Sequence, residues 1–175
     1  MFPMRIKVSV WEIGKAVKVV DRYRKDLKAK VALLVTKLAQ AGVKIASAKV
    51  YDMGAIGTGD LDSSIHYLVS DDGKGAIVRT DCAHAVYVEF GTGIKGQRNP
   101  HPVGLPGWIY DINEHGESGW WYPSTAADPN PYKHVGEDGS WWAWTRGMPS
   151  RPFMYQTAME LRDSAASVAR EVFKT

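Results

Sequence analysis

Apolar and polar residues alternate at Ile6, Val8 and Val10, which predicts a short opening strand. Ser9 and Glu12 then stand at S-x-x-E spacing, where hydroxyl and carboxylate satisfy the free backbone donors of a helix start, and Val8 and Ile13 occupy the staple positions. Beyond them Ile13, Val17, Val20, Leu27, Val31, Leu34, Val35 and Leu38 recur at mostly helical spacing. Lys15, Lys18, Arg22, Lys25 and Lys28 share the outer face. The pattern predicts one long amphipathic helix to about Ala48, weakened at Gly42. A strict heptad is not sustained, so a coiled coil is not expected. Such length suits a helix that packs on more than its own small sheet.

Residues 52–64 form a turn-rich connection. Ile65, Tyr67 and Val69 alternate, residues 70–75 (SDDGKG) supply turn chemistry, and residues 76–80 complete a predicted β-hairpin. Residues 85–90 read as a third strand, with Val86, Val88 and Phe90 on one face and Tyr87 and Glu89 on the other. Between positions 91 and 149 the pattern changes: this stretch holds most of the glycine and proline, six of the seven tryptophans, and no helical periodicity. A structureless loop of that length is uncommon. The clusters at 119–123 (GWWYP) and 140–144 (SWWAW) are expected to pair as a hairpin, because aromatic residues favour strands and reward cross-strand contact. They define an inserted β-rich arm over residues 96–146.

The last helix is expected to open with Ser150 as its cap and Pro152 in its first turn. Met154, Ala158, Leu161, Ala165, Val168 and Val172, three and four apart, mark its buried face. The expected fold is a single α+β domain over residues 1–175: a long N-terminal helix and a C-terminal helix packed on a small antiparallel sheet, with the Trp-rich arm inserted.

Composition changes this picture little. The chain has 175 residues, 45% hydrophobic and 23% charged, ordinary values for one globular domain. No continuous apolar run approaches ~18 residues, so no membrane span or membrane partner is expected. The first residues lack the apolar stretch and cleavage site of a secretory signal. Cys82 is the only cysteine, which excludes an intrachain disulfide and a four-cysteine zinc site and fits a reducing site of synthesis. Charge is uneven: residues 1–50 carry 12 Lys/Arg against 3 Asp/Glu, whereas the remainder is net acidic. The basic segment suits nucleic acid, lipid headgroups or an acidic protein surface, or is a solvated helix face.

Candidate chemistry is sparse. Residues 91–96 match G-x-G-x-x-G after the third expected strand, but a dinucleotide site needs that loop to open a helix. Prolines at 100 and 102 follow instead, and a flexible exit from the strand is expected. His66, His84, His101, His115 and His134 lack metal-ligand spacing and read as surface or turn histidines, with no downstream CxxC for a deaminase-type zinc site. Asp60 and Asp62 read as turn and cap residues, Asp71 and Asp72 as a hairpin turn. Glu89 would be the centre of any carboxylate hydrolase, although a structural role is favoured. No catalytic, cofactor or metal residue is assigned, and no cofactor is expected. The tryptophans could form stacking platforms with Arg79, Arg98 and Arg146 near them, but burial in a local core or an interface is preferred because the arm is net acidic.

Three segments resemble a known family. Tyr87-Val88-Glu89-Phe90-Gly91-Thr92-Gly93, preceded by Ala85, is similar to the strand-end motif of tail-component and neck (head–tail joining) morphogenesis proteins of long-tailed bacteriophages. Gly147-Met148-Pro149-Ser150-Arg151-Pro152-Phe153-Met154 resembles that family's entry into its final helix. GDLDSSI (residues 59–65), after a long basic helix, fits the same order. The arm is longer and richer in tryptophan than a minimal member needs, so its role does not carry over.

The resemblance implies a non-catalytic virion protein, not an enzyme, assembled in the bacterial host cytoplasm. Its implied partners are its own copies in a ring, neighbouring head-completion and tail proteins, and DNA in the channel. Phe90, Gly91, Gly93, Trp120, Trp121, Trp142, Arg151 and Phe153 are the candidate interface residues, the arm being expected to order on neighbouring subunits. The alternative is a carbohydrate- or nucleic-acid-binding module that uses the Trp-rich arm.

Overall fold

The computed structural model describes residues 10–55 and 59–174. The expected strand from Ile6 and the cap at Ser9 lie outside the described residues, and Val10 already belongs to the first helix, α1 (Val10–Asp52). This helix runs unbroken through Gly42 and ends four residues beyond the expected Ala48. Gly42 survives in mid-helix because a side chain there would collide. A Cβ would lie 2.8 Å from Val78 Cγ2 and 3.0 Å from Leu161 Cδ1. Its absence lets α1 approach the sheet and the last helix closely.

A one-turn helix, α2 (Asp60–Ser63), leads into the hairpin of β1 (Ile65–Val69) and β2 (Ala76–Thr80), paired antiparallel from Ile65↔Thr80 to Val69↔Ala76. Asp72 organises the turn, accepting from Ser70 Oγ at 2.8 Å and from the Lys74 N–H at 3.0 Å. Those bonds and the Lys74 ammonium hold its carboxyl down at about 2.

Residues 85–90 form a helix, α3 (Ala85–Phe90), where a strand was expected. The buried residues Ala85, Val88 and Glu89 lie three and four apart, the helical spacing, while Val86 and Tyr87 face out. Alternation at Val86, Val88 and Phe90 fits a strand equally well over so short a span, and tertiary packing decided between them. A second short helix, α4 (Gly93–Arg98), follows directly, so the glycine-rich loop does open a helical turn rather than a flexible exit.

The last helix, α5 (Phe153–Phe173), lies antiparallel along the C-terminal half of α1, with ion pairs Lys37–Glu171 (2.5 Å) and Lys49–Glu160 (3.1 Å). Its inner face is rotated slightly from the expected stripe: Thr157 is buried and Ala158 is exposed. Ala46 and Val50 of α1, Leu61, Ile65, Ala85, Val88 and Phe153 make one core cluster. Removing a side chain such as Phe153 from water contributes roughly 1.5–3 kcal/mol.

The two tryptophan clusters pair as expected. β3 (Trp120–Ser124) and β5 (Trp141–Thr145) are antiparallel, with Trp121 opposite Trp144 and Pro123 opposite Trp142. A third strand not foreseen, β4 (Lys133–Val135), pairs on the other side of β5. The order β3-β5-β4 leaves Pro123 on an edge, the place where a residue without an N–H is tolerated. The molecule is therefore α+β, with two small antiparallel sheets, one beside the helices and one in the arm.

By length and composition alone, the stretch Ile13–Asp52 of α1 is long and apolar enough to cross a membrane, although its apolar residues are interrupted by charges and form no continuous run. From Lys30 onward its residues are largely half-buried against α5 and the hairpin, with Ala39, Gly42, Ala46 and Val50 buried.

Candidate functional site

The motif pair that carries the family resemblance closes into one joint. Glu89, at the end of α3, aims its carboxylate at the start of α5. Oε2 accepts from the Met154 N–H and Oε1 from the Tyr155 N–H, each at 2.9 Å. His101 Nε2 lies 3.1 Å from Oε1. His101 Nδ1 is 3.2 Å from the N–H groups of both Val103 and Gly104, so it accepts there and the ring hydrogen sits on Nε2, facing Glu89.

A helix start leaves four backbone N–H groups without helical partners. In α5 the Phe153 N–H donates to Arg151 O, those of Met154 and Tyr155 to Glu89, and that of Gln156 to Pro152 O. Pro152, at the cap, has no N–H to satisfy and Gln156 makes the first i→i−4 bond, so three donors remain, two of them taken by a carboxylate sixty-odd positions upstream. Its negative charge also opposes the positive end of the helix dipole. Burial of Glu89 is thereby compensated by three donors.

The expected local cap does something else. Ser150 Oγ donates to Glu89 O at 2.5 Å, and the Arg151 N–H donates to Val88 O at 2.8 Å. α5 begins after Pro152, with no side-chain cap from its own strand of sequence. Thr92 and Met148 then bridge the two chain segments through reciprocal backbone bonds of 2.9 and 3.1 Å. Gly91 (φ 80°) and Gly93 (φ 57°) are required here: a Cβ would lie 2.7 Å from Ser150 N at the first and 2.6 Å from Arg146 O at the second.

Aromatic rings cover the joint. Phe90 lies 4.6 Å from His101 and 5.5 Å from Trp108, and His101 meets Tyr155 edge-on at 5.2 Å. Trp108 Nε1 donates to Gly91 O at 3.2 Å. His101 opens a turn, as expected, but is buried rather than on the surface, and nothing in its local sequence announces that. Both Glu89 oxygens point at protein donors, the geometry of a structural carboxylate.

The candidate interface residues divide. Phe153 is 1% exposed and belongs to the core, and Gly91 and Gly93 are buried in the joint, so these three are packing residues. Phe90, Trp120, Trp142 and Arg151 are half-buried, and only Trp121 presents an open face, edge-on to His134 at 4.5 Å. Within the chain Trp120 stacks on His115, Trp121 meets His134 edge-on and Trp144 meets Tyr132. Arg151 and His84 line an open cleft of ≈ 770 Å³ between the core and residues 122–129.

Loops of the arm are held by carboxylates. Asp111 accepts from the N–H groups of His115 and Gly116, which lower its carboxyl. The Ser124 hydroxyl and the Asn130 N–H do the same for Asp128, while Ser140 lowers Asp138 through its hydroxyl and N–H. Burial raises the Tyr122 phenol beside Asp128. Asp60 and Asp62 sit in the first turn of α2, capped by Gly59 rather than by an aspartate, and Asp62 Oδ1 is buried with no hydrogen-bond partner among the described residues. Among those residues, no group of three His, Cys, Asp or Glu side chains is placed to hold a metal.

The residues that sequence reasoning underrated lie in plain sight on α1. Ile13, Val17, Val20 and Leu27 are 51, 52, 55 and 40% exposed, although they continue the face that α5 and the hairpin cover from Val31 onward. No family model matches the chain, and no curated protein or solved structure is found to be similar to it.

Proposed function

We propose that this chain is a non-catalytic structural protein of phage assembly, a ring-forming neck or tail-completion component at the head–tail junction. The observation that carries this reading is the bare N-terminal half of α1, roughly 30 Å of helix at 1.5 Å per residue, with an apolar face that no described residue covers. Exposed contiguous apolar surface of this kind marks a contact with another molecule. A second support is the joint itself. VEFGTG and GMPSRPFM resemble two separate motifs of that family, and here they are partners in one hydrogen-bonded unit through Glu89. That gives a physical reason for the two to occur together.

In this reading the copies sit head to tail, assembled in the host cytoplasm and carried in the virion, with head-completion and tail proteins above and below. The ligand-binding alternative has less in its favour, since Trp120, Trp141, Trp142 and Trp144 are half-buried in or beside their own sheet. Mass measured across a concentration series should show growth from monomer to a closed oligomer. Added to purified heads and tails, the chain should raise the yield of joined particles. A chain that stays monomeric at every concentration and never promotes joining would sink the proposal.

A further inference from the structure

The bare half of α1 is strongly basic as well as apolar. Residues 10–30 hold 7 Lys/Arg against 3 Asp/Glu. Arg24 and Lys28 lie on or beside the apolar stripe, since Arg24 falls four residues after Val20 and three before Leu27. Two such helices brought together would repel. The arm has the opposite character: residues 111–138 hold 6 Asp/Glu and a single lysine.

The arm also exposes apolar side chains beside that charge. Ile109 and Ile112 are 61 and 71% exposed and, with Tyr87, line a shallow groove of ≈ 170 Å³ against Asp111 and Trp120. Glu114 and Glu117 follow on the same loop, both exposed. Glu117 meets Arg98 at 3.4 Å, but an ion pair so open to water contributes little.

We infer that the N-terminal half of α1 docks on the Ile109–Ile112 groove of a second copy of this chain, its Arg24 and Lys28 against that copy's acidic loop. The contact rests on the assembly reading above and names its two surfaces. They differ from each other, so the contact is heterologous, and repeating it builds a ring or a filament rather than a two-fold dimer. Apolar residues supply the affinity, and the opposed charges orient the encounter and exclude a helix-to-helix pairing. Among the described residues neither the arm nor any other segment of the chain covers this face of its own helix, which leaves it open to a second copy.

The test uses the full chain in a charge-swap cycle read by sedimentation at several concentrations and salt levels. Arg24→Glu/Lys28→Glu and Glu114→Lys/Glu117→Lys should each weaken self-association at least tenfold, as reversal of charges at a complementary contact does, with an unchanged far-ultraviolet spectrum. Joining all four substitutions in one chain should restore it to within about threefold, because the opposition is rebuilt with reversed sign. If both double variants associate like the unaltered chain, or if the fourfold variant stays as weak as they are, this contact is wrong while a ring built elsewhere survives. Loss of binding to phosphatidylglycerol vesicles or duplex DNA by the helix variant, with self-association untouched, would assign the helix to that surface and overturn the inference. An unaltered chain that never associates and never joins heads to tails overturns the contact and the assembly reading together.

Discussion

Residues 13–27 and 31–50 of α1 carry the same apolar face in a continuous register, and they meet opposite fates. In the second half Ala39, Ala46 and Val50 are buried against α5 and the hairpin. In the first, Ile13, Val17 and Val20 stand in water. The pattern is alike in both, so it reports only that a face will be covered, and the covering element must come from elsewhere. For one half it is the hairpin and the last helix of the same chain, the latter more than 100 residues on. Over the other, no described residue lies.

The largest expected break in this comparison comes from the joint that holds α5 in place. Glu89→Ala leaves two helix N–H groups and a buried imidazole donor unpaired. It should destabilise the fold by about 3 kcal/mol, within the range for stripping one partner from a buried charged contact. Chemical denaturation measures the loss, and hydrogen exchange should locate it in residues 31–50 and α5 while residues 13–27 change little. A Glu89→Ala chain of unaltered stability would show that α5 does not depend on this carboxylate.

The two glycines of α1 test the same contrast at smaller scale. Alanine is the better helix former by ~1 kcal/mol. At Gly14, where a Cβ meets nothing within 4 Å, substitution should realise that gain as increased helicity. At Gly42 the new methyl collides with Val78 and Leu161, and overpacking of roughly 1–3 kcal/mol outweighs the propensity, so Gly42→Ala should lower stability. Opposite signs are expected from one substitution in one helix. Equal signs would mean that the packed half is no tighter than the bare one.

The smallest effect concerns the arm and pH. Asp111, Asp128 and Asp138 all bind their protons more weakly in the fold than at the ordinary value of 3.8. Depressed carboxylates stabilise the folded state above that value, and the stabilisation is lost as pH falls below it through their folded values. Tryptophan emission from the arm should therefore shift as pH falls below about 4. Asp128→Asn should diminish that shift, and an emission profile flat to pH 2 would contradict the role given to these loops.

How much was legible beforehand depended on the range of the forces involved. Long periodic elements declared themselves: α1, the β1–β2 hairpin, α5 and the pairing of the two tryptophan clusters. Short ones did not. Residues 85–90 fit a strand or a helix equally, and β4 is three residues long, with no pattern to show. The cap of α5 was sought at Ser150, its sequence neighbour, whereas Glu89 supplies it from 65 residues away.

By itself, then, the order of residues determined which faces are apolar, where charge of each sign collects, and where glycine and proline break the backbone. These are properties of a residue and its near neighbours, set by 3.6- and 2-residue periods. Only the tertiary structure decided that Glu89, His101 and the start of α5 form one buried joint, and that, among the described residues, the apolar face of α1 is covered along one half and bare along the other. Contacts between residues far apart in the chain depend on how the whole packs, and no local pattern carries that information.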